Sequence, residues 1–376
     1  MSSRHALQGQ LSPSRGVHGK PGRGARVSNR LPEPCGTLSA AVARSLTTEG
    51  GSRPAPRPSD VRTVDDPLAD RDFQLALWML YELHYRGFEE VPDVLEWDPL
   101  LLAARAALEH RFEEAVRALA EPGADPGVLA ELTRGAASEP PADVADEVVR
   151  RLVDMTRGGA EGGAAAYLAE HATAEQFVSY LRQRAVYHLR ESDPQSFVLP
   201  RIGGPAKVAL AELQYDEYGA GRPDRLHQQI FARGLEALGL TTDLTTYVDE
   251  AEAETLASVN TMSLFALNRR LRGAALGHLA AFEATSSLPC AKVADGARRL
   301  GLPEEVVDYY EEHVEADAVH EQLAIRSICG ALVAEDPRLA PDVVMGAAAC
   351  LAVDGLAADV LVARWRDEPI DAGVAS

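Results

Sequence analysis

His313, Asp317 and His320 stand at positions i, i+4 and i+7 of the run Glu312-His313-Val314-Glu315-Ala316-Asp317-Ala318-Val319-His320. On an α-helix turning about 100° per residue, those three side chains fall within roughly 60° of one another. They form one stripe that a single ion can reach. Two imidazoles and a carboxylate suit iron, manganese or zinc. The stripe prolongs an apolar face, with Val306 and Tyr309 before it and Ala324 and Ser327 or Ile328 after it. It therefore carries charge toward a helical core, where charge needs a partner. A second set of the same ligand types lies upstream, in Glu191, Glu217 and His227. Two Glu, one Asp and three His are enough for two metals with three protein ligands each, with positions left open. The plainer reading is a solvated helical face, the common fate of a short Glu- and His-rich segment.

The composition bounds what such a site could serve. At 376 residues the chain can bury a large core as one big domain or two smaller ones. Its hydrophobic fraction of 46% is ordinary for a globular protein, and Ala and Leu dominate over the few aromatic residues, which favours helices. A net charge of −20 argues against non-specific nucleic-acid binding, which needs a basic surface. No run of about 18 consecutive apolar residues is evident, so no membrane span is expected. Cys35, Cys290, Cys329 and Cys350 lie far apart without C-x-x-C pairing, a cytosolic pattern of usage. A cytoplasmic protein acting on a small molecule is the expectation.

Helical signals place the candidate ligands. Residues 1–60 carry nine Lys or Arg against three Asp or Glu and lack apolar periodicity, so residues 1–63 are expected to be a disordered tail. From Asp70 onward the pattern is helical, with a first helix over about 72–86 that stops at Gly87. Asp98 reads as an N-cap with Pro99 at the first helical position, and Thr173 with Gln176 as a capping box. The Gly-rich stretch 158–163 divides an N-terminal helical layer, 64–157, from a main domain over 164–370. In that domain the helix ending near Glu191 is stopped by Asp193-Pro194, and the next ends around Tyr218-Gly219-Ala220-Gly221 just after Glu217. A helix after Pro223 carries His227, a long one runs over about 258–283, and Pro303 opens the helix of the late stripe. The last helix starts at Pro341. The class is all-α.

With both ligand sets in view, the chain resembles the haem-oxygenase-like diiron oxidases and oxygenases. The carrying residues are Glu191 in Arg190-Glu191-Ser192-Asp193-Pro194, Glu217 in Tyr215-Asp216-Glu217-Tyr218-Gly219-Ala220-Gly221, His227 ten positions later, and His313, Asp317 and His320. Their order, with 26 residues between the two Glu and 86 between His227 and His313, is similar to that family's. The resemblance covers about residues 165–370. It implies a haem-oxygenase-like helical bundle, here with the extra N-terminal layer, and two Fe(II)/Fe(III) ions held by the six residues. It further implies O2 as co-substrate, an external electron donor, and oxidation of an amino acid, amine or related metabolite by N-oxygenation, desaturation or C–C cleavage. A homodimer is the expected assembly. A relative with this spacing continues into a mononuclear-iron cupin domain; no His-rich segment follows residue 321 here, so that half of the chemistry is not expected. A haem-handling or cofactor-independent member of the superfold, or a non-catalytic helical interaction protein, are the rival readings.

Other polar residues offer alternatives to these six. Asp224, three before His227, competes with Glu217 as the middle acid but reads as a helix-start acid, and Glu283 is a spare acid on a core helix. His188 is a possible substitute for Glu191. Glu82 and His84, two apart on a helix, do not face each other and read as structural. Arg201, Lys207, Arg269, Arg270 and Arg272 could hold a substrate carboxylate, although surface charges more often form salt bridges. No phosphate loop, nucleophile elbow or Cys–His pair is present.

Overall fold

Local sequence sets the main helix starts. The Asp98 carboxylate accepts from the N–H groups of Leu100 and Leu101, Pro99 follows, and the helix Pro99–Ala120 begins there. Thr173 and Gln176 make the reciprocal bonds of a capping box at the head of the helix Ala174–His188. The computed structural model describes residues 29–48, 55–157 and 163–367, apart from the side chains of residues 58 and 315–319, and no strand occurs among the described residues. The fold is all-α.

Two expectations need correction. Of the stretch expected as a disordered tail, 1–63, residues 29–48 and 55–63 have a defined structure, and residues 1–28 and 49–54 lie outside the described residues. Thr37–Thr47 is a helix that buries Leu38, Val42 and Leu46 against the helix Arg71–Glu82. Its N-terminal N–H groups at Leu38 and Ser39 are satisfied by the Asp72 carboxylate at 2.7 and 2.8 Å. A cap lent from 34 residues away cannot be seen in the local sequence. The Gly-rich divider falls largely on residues 158–162, which are outside the described residues.

The second correction concerns the long helix expected over 258–283, which is two: Ala253–Leu267 and Arg272–Ala284. The Arg201 guanidinium takes the Ala266 and Leu267 carbonyls, the latter at 3.1 Å, and the Asn268 amide bonds back to Leu264 O at 3.0 Å. Those bonds satisfy carbonyls that a continuing helix would have used, so the chain turns. The last helix, Ala340–Asp367, lies where the sequence places it and is long and apolar enough to cross a membrane by composition. In the fold it packs instead against the helices Pro99–Ala120, Pro141–Thr156, Ala253–Leu267 and Arg272–Ala284.

The crossing of Arg272–Ala284 with this central helix is unusually close. A Cβ at Gly277 would run into the Val343 carbonyl, and one at Gly346 into the Ala274 carbonyl. Glycine at both positions lets the two backbones touch, which fixes the helix bearing Glu283 on the helix bearing Asp354. The late stripe sits on Glu304–Gln322, and the chain then widens into a π-helical segment, Leu323–Gly330. Such wide turns are uncommon and cluster at functional sites. This one buries Ile325, Ile328 and Cys329 and packs against both Gly204–Glu217 and Arg272–Ala284. It thereby sets His320 against the helices that carry Glu217 and Glu283.

Candidate metal centre

The first acid is turned inward by the residue before it. Arg190 follows the helix Ala174–His188 and pairs with Glu82 at 2.8 Å, both side chains 1% exposed, beneath the rings of Trp78 and Tyr85. Ser192, in the left-handed region at φ 64°, reverses the chain, and its carbonyl accepts from Gln214 at 2.8 Å. Between these anchors Glu191 is buried. The Tyr309 hydroxyl donates to it at 2.9 Å, and His188 Nδ1 lies 3.0 Å from its Oε1.

Glu217 is the last residue of Gly204–Glu217, and positive φ angles at Gly219, Ala220 and Gly221 fold the chain back toward His227. His227 opens the helix His227–Ala237. Its Nδ1 is 3.2 Å from Glu217 Oε2, which also accepts from the Ser192 hydroxyl at 2.8 Å. His313 Nδ1 lies 2.7 Å from the Tyr309 carbonyl, so that nitrogen carries the proton and Nε2 faces Glu191 Oε1 at 3.5 Å. On the other side of Glu217, its Oε1 is 3.5 Å from His320 Nδ1, which is also 3.4 Å from Glu283 Oε2.

Two groups of donor atoms result. Those of Glu191, Glu217, His227 and His313 all lie within 4.8 Å of one another, as do those of Glu217, Glu283 and His320. Glu217 belongs to both. A carboxylate shared by two donor groups is the arrangement that bridges two ions. The site also fits cations on chemical grounds. Three buried carboxylates converge, which is costly unless positive charge offsets it. His227 Nδ1 is buried and has no hydrogen-bond partner despite its closeness to Glu217.

The electrostatics point the same way. Burial pushes the Glu191 carboxyl up, but the charges and bonds of His188 and His313 outweigh it and hold the group well below its ordinary range. Glu217 is likewise held down against burial, by His227. His227 is raised above its ordinary value, burial lowering it and Glu217 raising it by more. His188 is pushed down to about 4, chiefly by burial, and is a neutral hydrogen-bonding residue at neutral pH.

Of the six residues expected as ligands, Glu191, Glu217, His227, His313 and His320 are brought together. The side chain of Asp317 lies outside the described residues. Asp224 is exposed in a short turn, Pro223–Arg225, that precedes the His227 helix instead of belonging to it. Of the arginines that could clamp a substrate carboxylate, Arg201 caps a helix end, Arg270 pairs with Glu113 and Arg272 with Asp336. Glu283, read as a spare acid, joins the second group. Tyr309 was visible only as an apolar-face residue, although its position one turn before His313 places it beside the first ligand group. A cavity of 480 Å³ opens beside the cluster, bounded by Glu191, Glu217, Glu283 and His313 at one side.

Comparison with known proteins covers this same stretch. Residues 178–355 match the family described as iron-containing redox enzymes. Over 169 residues the chain is 30% identical to the nitrosourea synthase of Streptomyces achromogenes subsp. streptozoticus, which is 44% of this chain and 36% of that protein. The match thus spans little more than a third of that relative's length.

Proposed function

We propose, for a chain whose residues 178–355 match the iron-containing redox enzyme family, that it is a dinuclear non-haem iron enzyme using O2 to oxidise a small metabolite. The observation that carries this reading is Glu217, shared by two donor groups that between them hold three His and two further Glu. Glu191, His227 and His313 would hold one ion, His320 and Glu283 the other, and Glu217 would bridge them. Asp317, on the stripe with His313 and His320, is the remaining candidate ligand. Two ferrous ions held there would supply electrons to O2. Zinc would accept the donors but could not do this, and a haem would want one axial His on an open face, not a ring of buried carboxylates.

The chain's own residues supply the rest. Tyr309 donates to Glu191 and also lies 2.6 Å from His188 Nδ1, so a proton can be held or passed between the hydroxyl and Glu191 Oε1. The mostly apolar walls around the cluster, among them Phe282 and Val293, limit water at the carboxylates. The relative is a nitrosourea synthase, and a nitrogen-bearing substrate is in keeping with that likeness.

Two measurements test the reading. Full-length protein incubated anaerobically with Fe(II) and desalted is expected to retain about two irons per chain and to consume O2 on exposure. Haem retention with no Fe(II) uptake would overturn it. Protons should also compete with iron. His227 has a folded pKa raised above its ordinary value by Glu217, yet it must be neutral to ligate. Its proton is fully in place below about pH 6.5 and leaves only as pH rises through the raised value. Iron affinity, measured against a competing chelator, is therefore expected to rise about tenfold or more from about pH 6 to about pH 8. A flat profile would place His227 outside the metal site.

A further inference from the structure

We propose that Arg184 is a positioning residue for the metal centre: its Nε–H fixes the tautomer of His188 and so aims two hydrogen bonds, from His188 and from Tyr309, at Glu191. The bond directions follow from the donors themselves. Their consequence for metal binding rests on the functional reading above.

The contacts run in an unbroken chain. Arg184 lies one turn before His188 on the helix Ala174–His188, and its Nε is 3.2 Å from His188 Nε2. The other ring nitrogen, Nδ1, is 3.0 Å from Glu191 Oε1 and 2.6 Å from the Tyr309 hydroxyl. That hydroxyl stands 2.9 Å from each oxygen of Glu191. His188 is buried, and its ring packs on those of Phe231 and Tyr309 with centroids 4.9 and 5.1 Å away, which holds its plane.

A guanidinium N–H donates and never accepts. His188 Nε2 is therefore the bare, accepting nitrogen. Burial pushes this imidazole down to about 4, so at neutral pH it carries one proton, and that proton sits on Nδ1. From there it points at Glu191 Oε1 and the Tyr309 oxygen. With the Nδ1 lone pair taken, the Tyr309 proton goes to the Glu191 carboxylate. Every bond in the chain then runs toward the candidate ligand.

The opposite tautomer would reverse the chain. Its Nε2–H would face the Arg184 Nε–H, donor against donor, and its Nδ1 lone pair would face the Glu191 carboxylate and draw the Tyr309 proton away. Glu191 would lose both bonds while its charge stayed buried. Hydrogen bonds behind a ligating group set its orientation, and losing them weakens a metal site by about 10- to 100-fold.

The test is 15N NMR of the histidine-labelled full chain, metal-free and loaded with diamagnetic Zn(II), with the His188 signals identified by their loss in His188→Gln. Wild-type protein is expected to carry the His188 proton on Nδ1 alone. Arg184→Met, which puts a methyl where Nε stood, should move that proton to Nε2 and weaken Fe(II), measured against a competing chelator, by about 10- to 100-fold. Arg184→Gln, whose amide nitrogen falls at the Nε position, should keep the wild-type tautomer and most of the affinity. A wild-type proton on Nε2, or on both nitrogens, would overturn the proposal without any variant having to fold. So would a folded Arg184→Met that keeps the Nδ1 tautomer, unchanged Fe(II) affinity once the proton has moved, or equal loss of iron in Arg184→Met and Arg184→Gln. If the tautomer responds as stated but wild-type protein takes up no iron, the metal reading fails and the assigned bond directions stand.

Discussion

Glu217→Ala is expected to cost the protein both irons, whereas His227→Ala and His320→Ala should each weaken one position more than the other. Glu217 is the one residue common to the two donor groups, with Oε2 toward His227 and Oε1 toward His320. Removing it deletes a ligand from each ion and the charge that balances both. Retained iron should fall from about two per chain to near zero, with the far-ultraviolet circular dichroism unchanged because Glu217 is the last residue of its helix. Asp224→Ala is the matched control. Its side chain is exposed in the turn before His227, so wild-type iron is expected there. Full iron in Glu217→Ala, or its loss in Asp224→Ala, would reverse the assignment.

The second large effect lies behind the site. Glu82→Ala is expected to destabilise the fold by about 3–5 kcal/mol, because it leaves the Arg190 guanidinium buried without its carboxylate. The pair is dry on both sides, and Asn29 supplies a further bond to Glu82 at 2.6 Å. Burial raises the Glu82 carboxyl despite Arg190, which shows that desolvation here outweighs the attraction. The double variant Glu82→Met with Arg190→Met should therefore recover most of the lost stability in urea unfolding. A single variant with wild-type stability would show that the pair contributes little. Since Arg190 anchors the turn that aims Glu191, iron retention should fall in the single variant even under conditions where it stays folded.

How far the sequence discloses this molecule depends on whether the deciding contact is local. Asp98 with Pro99, and Thr173 with Gln176, carry their caps within three residues, and the helices start where expected. His313 and His320 could be paired because they share one helix and a period of 3.6 fixes their relation. Glu191 stood out by its spacing to Glu217, since a helix end gives an acid no reason to be buried. Long-range contacts decide the rest. The helix Thr37–Thr47 needs Asp72 for its cap, and the break at Asn268 needs Arg201 from another segment. Glu283 reaches His320 only because Gly277 and Gly346 let two helices touch and the π-helical segment 323–330 seats His320 against them. Neither feature leaves a periodic trace.

The most direct measurement is anomalous diffraction at the iron edge from crystals of the anaerobically Fe(II)-loaded protein. Two peaks are expected about 3.5–4 Å apart on either side of Glu217, one beside His227 and His313 and the other beside His320 and Glu283. A single peak, a peak at the centre of a bound haem, or no iron between well-ordered side chains of these residues would contradict a dinuclear centre.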